Sequence, residues 1–141
     1  MRILVLNGPN LNLLGTREPE VYGTRTHRDL EQMIHDHCRD RGILVTVRQS
    51  NHEGVLVDLI QEARGNFDGI VINPAAYTHT SVALLDALKA VGLPAVEVHI
   101  SDPDTREAFR RISYVRGACV ATVKGKGLAG YLEAIDLLAG G

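Results

Sequence analysis

A chain of 141 residues, 45% hydrophobic and 23% charged, has the length and composition of one globular domain that buries its core without staples. Its net charge of −2 offers no basic face to nucleic acid or an anionic membrane, and no run of about 18 apolar residues is present to cross a bilayer. Two cysteines, Cys38 and Cys119, stand far apart without a CxxC or metal spacing, which fits a reduced cytoplasmic protein and argues against a disulfide framework. The apolar start, Met1 to Leu6, is too short for a signal peptide and lacks its cleavage site. No repeat, linker or low-complexity tail divides the chain, so residues 1–141 read as a single domain.

Strands and helices alternate along the chain. Ile3 to Leu6 reads as a buried parallel strand. From Leu6 to Gly23 the chain continues as a long loop carrying Asn7, Asn10, Asn12, Arg17 and Tyr22. A loop of this length in a compact domain is usually functional. Thr26 or Thr24 is placed to cap a helix running to about Arg41, with Gly42 as its stop. Ile43 to Val47 is the second strand. Gly54 to Arg64 is a helix with Val55, Leu56, Leu59, Ile60 and Ala63 on its inner face. Gly69 to Asn73 is the third strand, and Thr80 to Val91 a helix with Val82, Leu85 and Leu88 turned inward before Gly92. Ala95 to His99 is the fourth strand, followed by a short helix near Thr105 to Ile112. Cys119 to Val123 is the fifth strand, and Leu128 to Leu138 the last helix.

This alternation predicts an α/β three-layer sandwich, a parallel sheet with helices on both faces and right-handed crossovers. Five strands suggest the flavodoxin-like order 2-1-3-4-5, with its switch point between strands one and three. The carboxyl ends of strands one, three and four then share a crevice. They deliver Asn7 to Asn10, Asn73 to His79, and His99 to Ser101, the three most polar strand ends in the chain.

Within that crevice the chemistry can be read by residue type. A guanidinium such as Arg17 lowers the pKa of a nearby Tyr22 hydroxyl, and tyrosinate is a competent base for a proton beside a carbonyl; packing of the ring is the plainer role. Glu97 lies two residues before His99 on one strand, so both point to the same side. A carboxylate there orients an imidazole and favours its charged form, as a general acid needs. Asn73-Pro74-Ala75-Ala76-Tyr77-Thr78-His79-Thr80-Ser81 is a strand-to-helix junction suited to a carboxylate or hydroxylated ligand, or is simply a cap by Thr78 or Thr80. Ile100 and Ser101 add a pair of backbone donors, and one of Arg106, Arg110 and Arg111 can reach the crevice. His27, His35, His37 and His52 read as solvated surface residues. No HExxH or Cys/His cluster suggests a metal. Lys124-Gly125-Lys126-Gly127 lacks phosphate-loop spacing and reads as a turn. Only three lysines exist, Lys89, Lys124 and Lys126, which gives a Schiff-base mechanism little support.

Taken together, these segments resemble type II 3-dehydroquinate dehydratase over essentially the whole chain. The resemblance rests on Asn7-Gly8-Pro9-Asn10-Leu11-Asn12-Leu13-Leu14-Gly15, Arg17-Glu18-Pro19 through Tyr22-Gly23, Gln49-Ser50-Asn51 with Glu53-Gly54, Asn73 through Ser81, Glu97-Val98-His99-Ile100-Ser101, Arg106-Glu107 with Phe109-Arg110, Ser113-Tyr114 and Gly130-Tyr131. It implies anti elimination of water from 3-dehydroquinate through an enolate, with no cofactor and no Schiff base. It also implies Tyr22 as proton acceptor, Arg17 keeping that tyrosine ionised, and Asn10 holding a water against the enolate oxygen. His99 becomes the proton donor to the departing hydroxyl, oriented by Glu97. Asn73 with the backbone of Ile100 and Ser101 would bind the substrate carboxylate, and His79 and Arg110 its ring hydroxyls. Asp86 would reach a neighbouring subunit's site in a homododecamer of four trimers. The loop of about residues 15–24 becomes a lid hinged at Gly15 and Gly23.

Two segments depart from the family pattern. Asp102-Pro103-Asp104 replaces Asn, an apolar residue and His, adding negative charge near the carboxylate-binding end. Either affinity for an anionic substrate falls or the loop turns those carboxylates away. Residues 116–127 have fewer glycines than usual and a lysine pair. The competing readings are a non-catalytic flavodoxin-like binding module, which leaves Arg17, Tyr22, His79 and His99 idle, and a dehydratase of a related hydroxy-keto acid.

Overall fold

The computed structural model describes residues 1–16, 20 and 24–140. Most of the expected lid, including Arg17, Tyr22 and Gly23, lies outside the described residues. Five strands, β1 (Arg2–Asn7), β2 (Leu44–Gln49), β3 (Gly69–Asn73), β4 (Ala95–His99) and β5 (Ala121–Lys124), form one sheet in the order β2-β1-β3-β4-β5. Every neighbouring pair is parallel, as the sequence predicts.

Among the described residues, four α-helices cover the sheet: α1 (His27–Arg41), α2 (Glu53–Ala63), α3 (Val82–Val91) and α4 (Ala129–Leu138). Helix α1 starts at a capping box. The Thr26 hydroxyl accepts from the Asp29 N–H, and the Asp29 carboxylate accepts from the Thr26 N–H. Its buried stripe is Leu30, Ile34 and Cys38, spaced four apart, and it packs with Tyr131, Ala134 and Ile135 of α4 against Ile3, Val5, Val71, Val96 and Val98. On the other face Leu56 and Ile60 of α2 and Leu84 and Leu88 of α3 cover Leu4, Leu6, Ile70 and Ile72. Each fully buried aliphatic side chain contributes about 1.5–3 kcal/mol to holding its helix on the sheet.

Several local expectations shift. Val55 and Val82 are exposed rather than inward, because the stripes Leu56–Ile60–Ala63 and Leu84–Ala87–Leu88 set the buried faces and each valine lies off its stripe. Leu59 and Leu85 flank those stripes and are half-buried. Helix α3 is capped by Ser81, whose hydroxyl accepts from the Leu84 N–H at 3.0 Å, and not by Thr78 or Thr80. The helix expected at 105–112 is two 3₁₀ turns, Pro103–Thr105 and Ala108–Arg111, because Arg106 and Glu107 are extended and interrupt it. Strand β5 starts two residues later than expected, since Val115–Ala118 is a further 3₁₀ turn.

Candidate active site

The crossovers reverse direction between β1 and β3, so a crevice opens at the carboxyl ends of these strands. Asn7 and Asn73 are in register there. The Gly8 N–H donates to the Asn73 carbonyl at 2.8 Å, and a Cβ at Gly8 would lie 2.4 Å from the Pro74 carbonyl oxygen. Only glycine allows the two strand ends to approach so closely. The crevice is lined by Asn10, Asn73, His79, His99, Ser101 and Arg110, with Arg106 and Pro103 beside them and Leu11 and Leu14 forming an apolar wall. Two lining residues, Asn10 and Ala75, hold left-handed backbone with φ of 69° and 52°. Asn10 is fixed by its N–H, which donates to the Asn51 side-chain oxygen at 3.0 Å, and Ala75 by its N–H to the Asn73 side-chain oxygen at 3.1 Å.

Glu97 and His99 share the face of β4 opposite Val96 and Val98. The His99 Nε2–H donates to Glu97 Oε2 at 2.6 Å. Glu97 is fully buried and also accepts from Ser113 Oγ at 2.6 Å, Arg116 Nε at 2.8 Å and Thr122 Oγ1 at 2.9 Å. Burial pushes its pKa up, but the hydrogen bonds from His99 and Arg116, the His99 charge and the Ser113 hydroxyl outweigh that and hold it at about 2. The carboxylate is therefore ionised at any ordinary pH. It fixes the imidazole tautomer and leaves Nδ1 as the ring nitrogen that can exchange a proton with a ligand.

The opposite wall reads differently. The His79 Nδ1–H donates to the Ile112 carbonyl at 2.7 Å. Burial lowers the His79 pKa; the Ile112 bond acts against this, and the Arg110 charge adds to the lowering. A neutral imidazole held in this way presents Nε2 as an acceptor. Arg110 donates to Glu107 and lies 5.0 Å from the Phe109 ring centroid, leaving further guanidinium donors beside the crevice. Asn73 is buried, with its oxygen occupied by Ala75 and its nitrogen donating to the Tyr131 hydroxyl at 2.9 Å. The Ile100 and Ser101 carbonyls accept from the Gly127 and Gly125 N–H groups at 3.0 and 3.2 Å, so Lys124-Gly125-Lys126-Gly127 is the expected turn and it pins the loop after β4.

The crevice thus gathers Asn10, Asn73, His79, His99, Ser101 and Arg110, with Glu97 and Ile100 immediately behind. Asp86 stands apart, exposed on α3 and outside the lining. Two histidines expected to be solvated are instead held by side chains: His27 pairs with Asn7 and Glu31, and His37 with Asp136. Glu31 is an i,i+4 neighbour of His27 on α1, whereas Asn7 and Asp136 come from other elements and helical spacing does not show them. The added charge of Asp102 and Asp104 is met by Lys124, which pairs with both carboxylates. Sequence reasoning also missed Ser113, Arg116 and Thr122 around Glu97, because they come from 16 to 25 residues further along and no local pattern marks them. Cys38 and Cys119 are free thiols, and burial raises the pKa of both, to about 12 for Cys119. Among the described residues no helix is long and apolar enough to cross a membrane.

The family model described as Dehydroquinase class II matches residues 1–139. A 3-dehydroquinate dehydratase of Acidovorax sp. (strain JS42) is 56% identical, covering 97% of this chain and 96% of that protein. The crystal structure of a type II dehydroquinase from Butyrivibrio crossotus DSM 2876 superposes with a TM-score of 0.97 at 51% identity, covering 99% of this chain and 97% of that one. That from Propionibacterium acnes gives a TM-score of 0.95 at 44% identity, with the same coverage. Match length, identity and fold agree: the chain belongs to the class II dehydroquinase family.

Proposed function

We propose that this chain is a 3-dehydroquinate dehydratase whose reaction takes place in the crevice at the ends of β1, β3 and β4. The buried Glu97–His99 pair opening into that crevice carries the reading, because it supplies an oriented proton donor where an elimination needs one. Tyr22, kept ionised by Arg17, takes a proton from the carbon beside the ketone. The C–H electron pair becomes the enolate, and a water held by Asn10 hydrogen-bonds the enolate oxygen. The enolate then collapses, the C–O bond of the β-hydroxyl breaks, and His99 delivers its Nδ1 proton so that water leaves. Glu97 stabilises the imidazolium until that proton is given up.

Substrate binding divides between the two walls. Asn73 and the backbone of Ile100 and Ser101 hold the carboxylate, while His79 and Arg110 hold the ring hydroxyls, the neutral His79 accepting through Nε2. The exposed position of Asp86 suits a contact across to a neighbouring copy, in keeping with a homododecamer built of four trimers. The two free cysteines fit a reduced, cytoplasmic setting. Among the described residues that line the crevice none is a lysine, in keeping with a reaction that forms no imine.

The direct test is to add purified protein to 3-dehydroquinate and follow the ultraviolet absorbance of the conjugated enone product. The expected result is a rise that Tyr22→Phe abolishes while the variant stays folded. A folded wild-type protein that gives no rise overturns the reading and points to a binding role on the same fold.

A further inference from the structure

Beneath Asn73 a chain of five hydrogen bonds runs through the protein to the edge of α1. The Ala75 N–H donates to Asn73 Oδ1 at 3.1 Å, and Asn73 Nδ2 donates to Tyr131 Oη at 2.9 Å. The Tyr131 hydroxyl donates to Asn7 Oδ1 at 2.7 Å, Asn7 Nδ2 lies 3.1 Å from His27 Nε2, and His27 Nδ1 lies 2.9 Å from Glu31 Oε1. Tyr131 and Asn7 are fully buried, Asn73 nearly so, and the His27 side chain is 13% exposed.

The two ends of this chain decide the direction of every bond in it. A backbone N–H can only donate, and an ionised carboxylate can only accept. Glu31 therefore takes the Nδ1 proton of His27, and the Asn7 amide nitrogen, which can only donate, gives a proton to Nε2. That leaves Asn7 Oδ1 to accept from Tyr131, whose oxygen accepts from Asn73. The Asn73 oxygen is already occupied by Ala75, so this amide cannot flip without breaking two bonds at once. Among the described residues the second Asn73 N–H meets no acceptor, and it belongs to a side chain that lines the crevice.

We infer that Tyr131 and Asn7, with His27 at the outer end, are positioning residues that lock Asn73 as a donor toward the anionic oxygens of the ligand. Neither Tyr131 nor Asn7 lines the crevice, so their effect on the reaction passes through Asn73. The inference rests on the assignment of Asn73 to the substrate carboxylate. Such a lock suits carboxylate recognition, since a flipped amide would set its oxygen against a negative charge.

Steady-state kinetics with 3-dehydroquinate on Tyr131→Phe, Asn73→Ala and the double variant tests the lock, alongside thermal unfolding of each. Tyr131→Phe keeps the buried ring and removes one hydroxyl, and it is expected to raise KM on the order of tenfold with kcat within about twofold. In the Asn73→Ala background the same substitution is expected to add nothing further to KM. His27→Ala, at the accessible end of the chain, should raise KM in the same direction by a smaller factor, and it serves if Tyr131→Phe fails to fold. An unchanged KM in Tyr131→Phe and His27→Ala, with a raised KM in Asn73→Ala, overturns the lock and leaves the carboxylate assignment standing. An unchanged KM in Asn73→Ala overturns the assignment and the lock with it. A loss of active protein in Tyr131→Phe at constant KM marks a purely structural tyrosine and also overturns the lock.

Discussion

Glu97 lies two residues before His99 on β4, and its Oε2 accepts the Nε2–H of His99 at 2.6 Å. A strand is well suited to this pairing, because a spacing of two puts both side chains on one face at a fixed separation. The same carboxylate collects Ser113, Arg116 and Thr122, so it ties β4, β5 and the 113–116 segment together as well as orienting the imidazole. Structure and proposed chemistry thus share a single buried charge, and both should respond when that charge is removed.

Glu97→Gln places an amide N–H₂ among four donors, so it loses acceptors and leaves Arg116 uncompensated. The expected cost is about 3 kcal/mol of stability at neutral pH, read from urea unfolding. The pH dependence has a definite sign. The folded-state pKa, about 2, lies below the ordinary 4.5, so the unfolded chain binds the proton more readily and the stabilisation is lost as pH falls from about 5 toward 2. Wild type and Glu97→Gln should therefore converge in stability across that window. Curves that stay parallel down to pH 2 rule out this role for the carboxylate.

His99→Ala removes the proposed proton donor and leaves Asn73, His79 and Arg110 in place. The turnover number should fall by about 10²- to 10⁴-fold, the usual worth of a positioned acid, with KM within a few-fold of wild type. Full turnover in the variant would remove His99 from the mechanism.

Much of this arrangement was legible in the sequence, for reasons that individual residues make plain. Thr26 and Gly42 bound α1 because cap chemistry is local, and the order of the strands follows from the β/α alternation together with the handedness of crossovers. The polar ends of three strands located the crevice before any side chain was placed. The network under Asn73 was not legible, because Tyr131 lies 124 residues from Asn7 and no local pattern joins the two. Val55 and Val82 show the other failing: a short apolar helix offers two overlapping stripes, and only packing chooses between them.

Gly8→Ala tests whether the approach of β1 to β3 builds the site. Its Cβ would fall 2.4 Å from the Pro74 carbonyl oxygen, and backbone must move to relieve that contact. The expected loss is about 1–3 kcal/mol, typical of overpacking, with KM raised because Asn10 and Asn73 are both displaced from the crevice wall. Thermal unfolding and steady-state kinetics read the two effects. A variant with wild-type stability and KM would mean that the strand ends adjust freely and that the glycine is not needed.

Lys124→Met separates charge from shape at the loop after β4. Lys124 pairs with Asp102 and Asp104, and the hydrogen bond to Asp104 raises the lysine's pKa and lowers the aspartate's. Pro103, between the two aspartates, lines the crevice, so their charge lies close to the proposed carboxylate site. Without the lysine, the two carboxylates lose their paired cation and more of their negative charge reaches an anionic substrate. KM for 3-dehydroquinate should rise about two- to fivefold at low ionic strength and return toward wild type as salt is added, because added ions screen exposed charges beyond about 10 Å. The turnover number should hold, since no atom of the acid or base pair is touched, and the unfolding midpoint should barely move, since exposed ion pairs contribute little. A KM rise that persists at high salt would assign Lys124 a role in holding the loop's shape, and an unchanged KM would mean that the aspartates carry no field into the crevice.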